Sequence, residues 1–141
     1  GGYTGGSVAN ARYQCYPGNI DRGGDPVIHE LVHQINHIVF EAINEVYFYE
    51  TVYGYAIDAI EKGIFATDYK QQLAEGVVQD MAQFIGEYWA ITNEGMAMNK
   101  AGFKNSHDKI DWVKENDPNM FALAQRYFPT EPWDYCSEVE Y

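Results

Sequence analysis

Basic residues are scarce. The chain of 141 residues has 9 Lys and Arg against 21 Asp and Glu, a formal net charge of −12. Phosphate binding needs clustered cations, so this balance argues against a nucleic-acid partner. It argues equally against anionic membrane surfaces. Long hydrophobic runs are missing as well. No stretch approaches the roughly 18 apolar residues that a membrane-spanning helix needs, so membrane insertion is not expected. Cysteine is limited to Cys15 and Cys136, one near each end. Two buried thiols are one reading, and a disulfide is the favoured one. A bridge would close a loop of about 120 residues and contribute about 4–5 kcal/mol in the chain-entropy model. It would also place the protein in an oxidising, extracellular compartment. The chain starts at Gly1 with no signal peptide, as expected of a mature or excised form.

What is present suits one folded domain over 1–141. That length buries about two thirds of the unfolded surface, so no array of staples is needed. Hydrophobic residues make up 46% of the chain, which excludes the disordered class. Aromatics make up 16%, including 12 tyrosines, and are best read as amphipathic packing residues on helix faces. A sugar- or peptide-contacting groove is the alternative use for them.

Helical signals dominate. Residues 1–24 are rich in glycine and read as loop, with a short strand around Ser7–Tyr16 as an option. Asp25 and Pro26 suit an N-cap and a first helical position. Apolar residues then recur with helical spacing from Val27 to Val39, so a helix is expected to about Ile43. Further helices are expected over about 46–62, stopped by Gly63, and over 68–84. Another is expected over 87–100, ending near Gly102. Asp117 and Pro118 open a last one, which ends at Pro129. The expected fold class is mainly α. In an α+β variant, a small sheet would come from the N-terminal part, with the Gly63–Asp68 connection.

The stretch His29-Glu30-Leu31-Val32-His33 is an HExxH motif on the first helix. Residues four apart share a helical face, so both imidazoles can reach one zinc ion. Glu30, next in angle, can take a proton from water at that ion and so act as general base. The flanking Val27, Ile28, Leu31, Val32 and Ile35 are expected to bury the helix. The bland alternative, two histidines on a polar face without a metal, would leave these groups desolvated without compensation. His37 continues the spacing, but eight residues carry it about 80° past His29, so it is expected outside the ligand set. The metzincin pattern does not apply, since Asn36 and Val39 stand where it has glycine and histidine.

A catalytic zinc needs a third protein ligand and an open position. Thermolysin-like spacing points to Tyr53, where no carboxylate stands; Glu50 and Glu61 are the nearest glutamates. Glu87, in Glu87-Tyr88-Trp89-Ala90 at the expected start of a helix, is the preferred ligand. Glu94, two turns on, can hydrogen-bond a ligand histidine or replace Glu87. Glu61 is a third option.

Several elements occur in a familiar order: Asp25-Pro26 before His29-Glu30-Leu31-Val32-His33, then Glu87-Tyr88-Trp89-Ala90, Asn116-Asp117-Pro118, and Phe128-Pro129 with Trp133 and Cys136. Over roughly 17–136 the chain resembles secreted zincin-like proteins, gluzincins in the broad sense. It is distantly similar to the catalytic domain of anthrax lethal factor. The resemblance implies His29, His33 and Glu87 as zinc ligands, Glu30 as general base and a Cys15–Cys136 pair. The group usually reads EYWAEG without a break, whereas here Ile91-Thr92-Asn93 separate Ala90 from Glu94-Gly95. Lethal factor also has a tyrosine two turns before its glutamate ligand. Here that place falls at Gln79-Asp80-Met81. An oxyanion donor must then come from elsewhere, with His107, Tyr47, Tyr49, Tyr53 and Tyr55 as candidates.

These readings imply an extracellular zinc peptidase acting on peptide or protein substrates. The rival is a catalytically weak or inactive module in an extracellular protein assembly. A tyrosine-rich carbohydrate binder has only composition behind it.

Overall fold

The computed structural model describes residues 18, 26–40, 42–43, 46–65, 69–99, 107 and 109–131. The optional strand at Ser7–Tyr16, the Asp25 cap and both cysteines lie outside them. Among the described residues the chain is mainly helical, with no strand. None of these helices is long and apolar enough to cross a membrane.

Helix α1 is Pro26–Gln34, and it runs directly into a π-helical segment, Ile35–Phe40. Helix α2 is Val46–Lys62. It ends as expected at Gly63, whose φ of +64° is costly for a residue with a Cβ. The Gly63 amide bonds to Ile60 O and the Ile64 amide to Ala59 O, the pairing of a Schellman motif.

The expected helices over 68–84 and 87–100 are redrawn as α3, Tyr69–Ala74, and α4, Met81–Met98. Gly76, at φ +71°, closes α3 with a second Schellman pairing, Gly76 N to Leu73 O and Val77 N to Gln72 O. Asp80 then restarts the chain. Its carboxylate accepts from Gln83 N at 2.9 Å, while Gln83 Oε1 accepts from Gln79 N at 2.7 Å. Glu87 therefore sits inside a continuous helix and not at the start of one. At the other end Asn99 adopts φ +43°, bonds its amide to Gly95 O, and accepts from Ile110 N at 3.0 Å.

Two short helices follow. Helix α5, Ile110–Asn116, was not anticipated, and α6, Pro118–Tyr127, begins at the expected proline. Helix α1 packs along α4, α2 packs on α4 and α6, and α5 touches α4 and α6. Phe48, Val52, Ala56 and Ala59 form the buried stripe of α2. Phe40, Phe48, Trp89 and Tyr127 interlock at its N-terminal end, with ring centroids 4.3 Å apart for Phe40–Phe48 and 5.0 Å for Phe48–Trp89. Trp89, Tyr88 and Tyr127 are thus packing residues, as the composition suggested.

Candidate metal centre

Two helix faces meet at the site. Val32 is buried and Ile28 and Ile35 are partly buried, which holds α1 against α4. Val27 and Leu31, expected to help bury the helix, lie on its outer face, each 53% exposed. Burial on one stripe is enough to turn His29 and His33 toward α4, from which Glu87 and Glu94 project.

His33 Nε2 lies 3.2 Å from His29 Nε2. Glu87 closes the triangle, with Oε2 3.2 Å from His29 Nε2 and Oε1 3.4 Å from His33 Nε2. A tetrahedral ion held at about 2.0–2.1 Å sets its donor atoms about 3.3–3.4 Å apart. The two histidine nitrogens lie near that spacing, Glu87 approaches them through its two different oxygens, and one donor atom from each residue lies within 4.8 Å of the others, so His29, His33 and Glu87 could hold a metal ion.

Glu94 does not replace Glu87. Its Oε2 accepts from His29 Nδ1 at 3.0 Å. A carboxylate there fixes the proton on Nδ1 and leaves the Nε2 lone pair for the triangle. Glu61 is exposed on α2 and is not part of the group.

Without a metal, protons hold these charges together. Burial disfavours the His29 imidazolium, but the bonds to Glu87 and Glu94 outweigh it and raise the pKa from 6.5 to about 10. Burial likewise pushes the Glu87 carboxyl up, but bonding to His29 and His33 brings it from 4.5 down to about 2.

The triangle opens on a cleft of about 460 Å³ lined by Glu30, His37, Gln79, Asp80 and Gln83 along with His33 and Glu87. Glu30 borders the cleft and is not part of the triangle. His37 borders it too, without joining the ligand group. Gln79, Asp80 and Gln83 carried no functional reading; their only signal is the D-x-x-Q spacing that caps α4.

Of the suggested oxyanion donors, those with described side chains are placed elsewhere. Tyr49 donates its hydroxyl to the Asn36 carbonyl at 2.7 Å. Tyr55 lines a separate hollow with Phe48 and Leu123. Tyr53 is exposed and does not line the cleft, and the Tyr47 side chain lies outside what is described.

His107 is fully buried. Its Nε2 donates to Asp117 Oδ2 at 2.9 Å, and the Tyr88 hydroxyl donates to the same oxygen. Asp117 occupies the N-cap position of α6, but its carboxylate makes no capping bond. It serves this buried network instead. Burial and the Asp117 charge push the Tyr88 hydroxyl well above its usual range, so it stays a donor. Tyr88 directly follows Glu87, so the network anchors the ligand-bearing turn of α4 to the α5–α6 junction. Asp117→Ala should cost about 2–6 kcal/mol, from two stranded buried donors at about 1–3 kcal/mol each. The urea midpoint at unchanged m-value measures this. A loss below about 1 kcal/mol would remove the anchoring role.

Compared with protein-family models, curated proteins and solved structures, the chain gives no match.

Proposed function

We propose that this domain is a zinc-dependent peptidase of zincin-like type. The observation that carries the reading is the donor triangle of His29, His33 and Glu87, opening on a cleft that Glu30 borders. Two imidazole nitrogens and one carboxylate oxygen are the donor set of known zinc peptidases, with one position left for chemistry. When bound, zinc supplies a Lewis acid and makes water at the site acidic enough to react near neutral pH.

The chain's own residues do the rest. Glu94 holds the His29 ring in the tautomer that presents Nε2. Glu30 takes a proton from the attacking water and delivers it to the amine nitrogen as the peptide C–N bond breaks. The hydroxyl left on carbon completes the new carboxyl group. The outcome is a carboxylate and a free amine.

Metal analysis of purified protein should find one zinc per chain, and His33→Ala should abolish that binding. Full zinc content in His33→Ala would remove the site. A second reading is supported by one observation: neither His107 nor Tyr49, Tyr53 or Tyr55 lines the cleft. Under it the domain keeps zinc but serves an extracellular assembly without cleaving peptides. Zinc-loaded protein inert against a broad peptide library would favour that module over the enzyme.

A further inference from the structure

We propose that His37 is a catalytic residue of this cleft, donating an N–H to the carbonyl oxygen of the scissile peptide as that oxygen gains negative charge. The inference rests on the peptidase reading above and supplies a donor that Tyr49, Tyr53 and Tyr55 do not.

Its basis is the π-helical segment. In a continuous α-helix His37 would lie about 80° round from His29. A π segment reaches one residue further for each hydrogen bond, so each residue turns the chain less. The segment Ile35–Phe40 begins two residues before His37. Its underwinding therefore swings His37 back toward the stripe of His29 and His33. The imidazole lines the same cleft as Glu30, His33 and Glu87.

This winding is held from outside the segment. The Tyr49 hydroxyl bonds the Asn36 carbonyl, one residue before His37, at 2.7 Å. Asn36 and Phe40 are buried. The Phe40 ring packs on Phe48 and Tyr127 at 4.3 and 4.8 Å. π segments of this kind recur at functional sites. Helix α2 and α6 thus pin the turn while its one histidine stays exposed to the cleft.

Chemistry narrows the choice further. Among the described residues lining the cleft, His37 is the one side chain outside the ligand triangle that can carry positive charge. Glu30 and Asp80 accept when ionised, and the Gln79 and Gln83 side-chain amides are neutral donors, with Gln83 Oε1 accepting from Gln79 N. In the step, water adds to the carbonyl carbon while Glu30 takes its proton. The oxygen becomes an anion hydrogen-bonded to His37, whose own proton stays on nitrogen. Collapse expels the amine, which receives the proton from Glu30.

The test uses the whole zinc-loaded chain, a peptide substrate and a phosphinic peptide whose tetrahedral anion imitates the adduct. Without its oxyanion donor, His37→Ala should lose about 10²–10³-fold in kcat at nearly unchanged KM. It should bind the phosphinic peptide at least about tenfold more weakly, with wild-type zinc affinity. His37→Gln, which keeps an N–H donor, should recover part of both. In wild-type protein the His37 ring proton resonance should shift on phosphinic peptide binding. Equal phosphinic peptide affinity in wild type and His37→Ala would overturn the role while leaving the peptidase reading intact. Loss of zinc in His37→Ala would make His37 a ligand and overturn it differently. A zinc-loaded wild type that neither cleaves peptide nor binds the phosphinic peptide would defeat the peptidase reading, and this role with it.

Discussion

Replacing Glu30 with Gln will lower peptide hydrolysis by at least about 10²-fold, the lower range for a lost general base. Zinc content and thermal midpoint will stay at wild-type values. The separation follows from where Glu30 stands. It borders the cleft beside His33 and Glu87 and takes no part in the donor triangle. The amide matches the carboxylate in size, so packing along α1 is unchanged. What it loses is the ability to hold a proton between water and the leaving amine. Glu87→Gln reports the opposite combination. A charged ligand oxygen becomes neutral, so zinc binding itself weakens. Measuring zinc content and kcat on both variants therefore separates proton transfer from metal retention. Full activity in Glu30→Gln would discard the mechanism while leaving the metal centre standing.

The histidine half of the His29, His33 and Glu87 group was legible because it is local. His29 and His33 face one way on any helix, and the apolar stripe through Val32 decides which way that is. Glu87 and Glu94 are seven residues apart, so either could have been the ligand on spacing alone. Only the packing of α1 on α4 puts Glu94 on Nδ1 and Glu87 on the Nε2 atoms. Helix boundaries failed where glycine was ambiguous. Gly76 and Gly86 look alike in sequence, yet Gly76 takes a left-handed φ and ends α3, while α4 runs straight through Gly86. The π segment was invisible for a different reason. Tyr49 from α2 bonds the Asn36 carbonyl within it, a contact no local pattern encodes. Asp117 was misread in a similar way. As a residue before proline it has every mark of a cap, but a buried tyrosine and histidine claim its carboxylate. Helix α5 has only seven residues, too short for a periodic pattern to stand out.

Zinc affinity should climb steeply with pH, by about tenfold per unit between pH 7 and 9, or roughly 100-fold over that range. In the metal-free protein the His29 imidazolium, with a pKa of about 10, still holds its Nε2 proton over this interval. Zinc needs the Nε2 lone pair, so each ion bound displaces that proton while Nδ1–H stays on Glu94. The stability of the metal-free protein runs the other way. The His29 pKa is raised from 6.5 by folding, so its contribution is full below pH 6.5 and is lost as pH rises toward 10. The Glu87 pKa is lowered from 4.5 to about 2, so its contribution is full above pH 4.5 and is lost as pH falls toward 2. From these two groups, metal-free protein should be most stable between pH 4.5 and 6.5. Zinc should protect it increasingly above that window. Chelator-buffered zinc titrations and melting curves with and without zinc read both slopes. Glu94→Gln removes one of the two carboxylates that raise the His29 pKa, so its affinity profile should level off at lower pH. A wild-type profile already flat at pH 7 would mean that His29 is neutral there and that no proton stands where the metal binds.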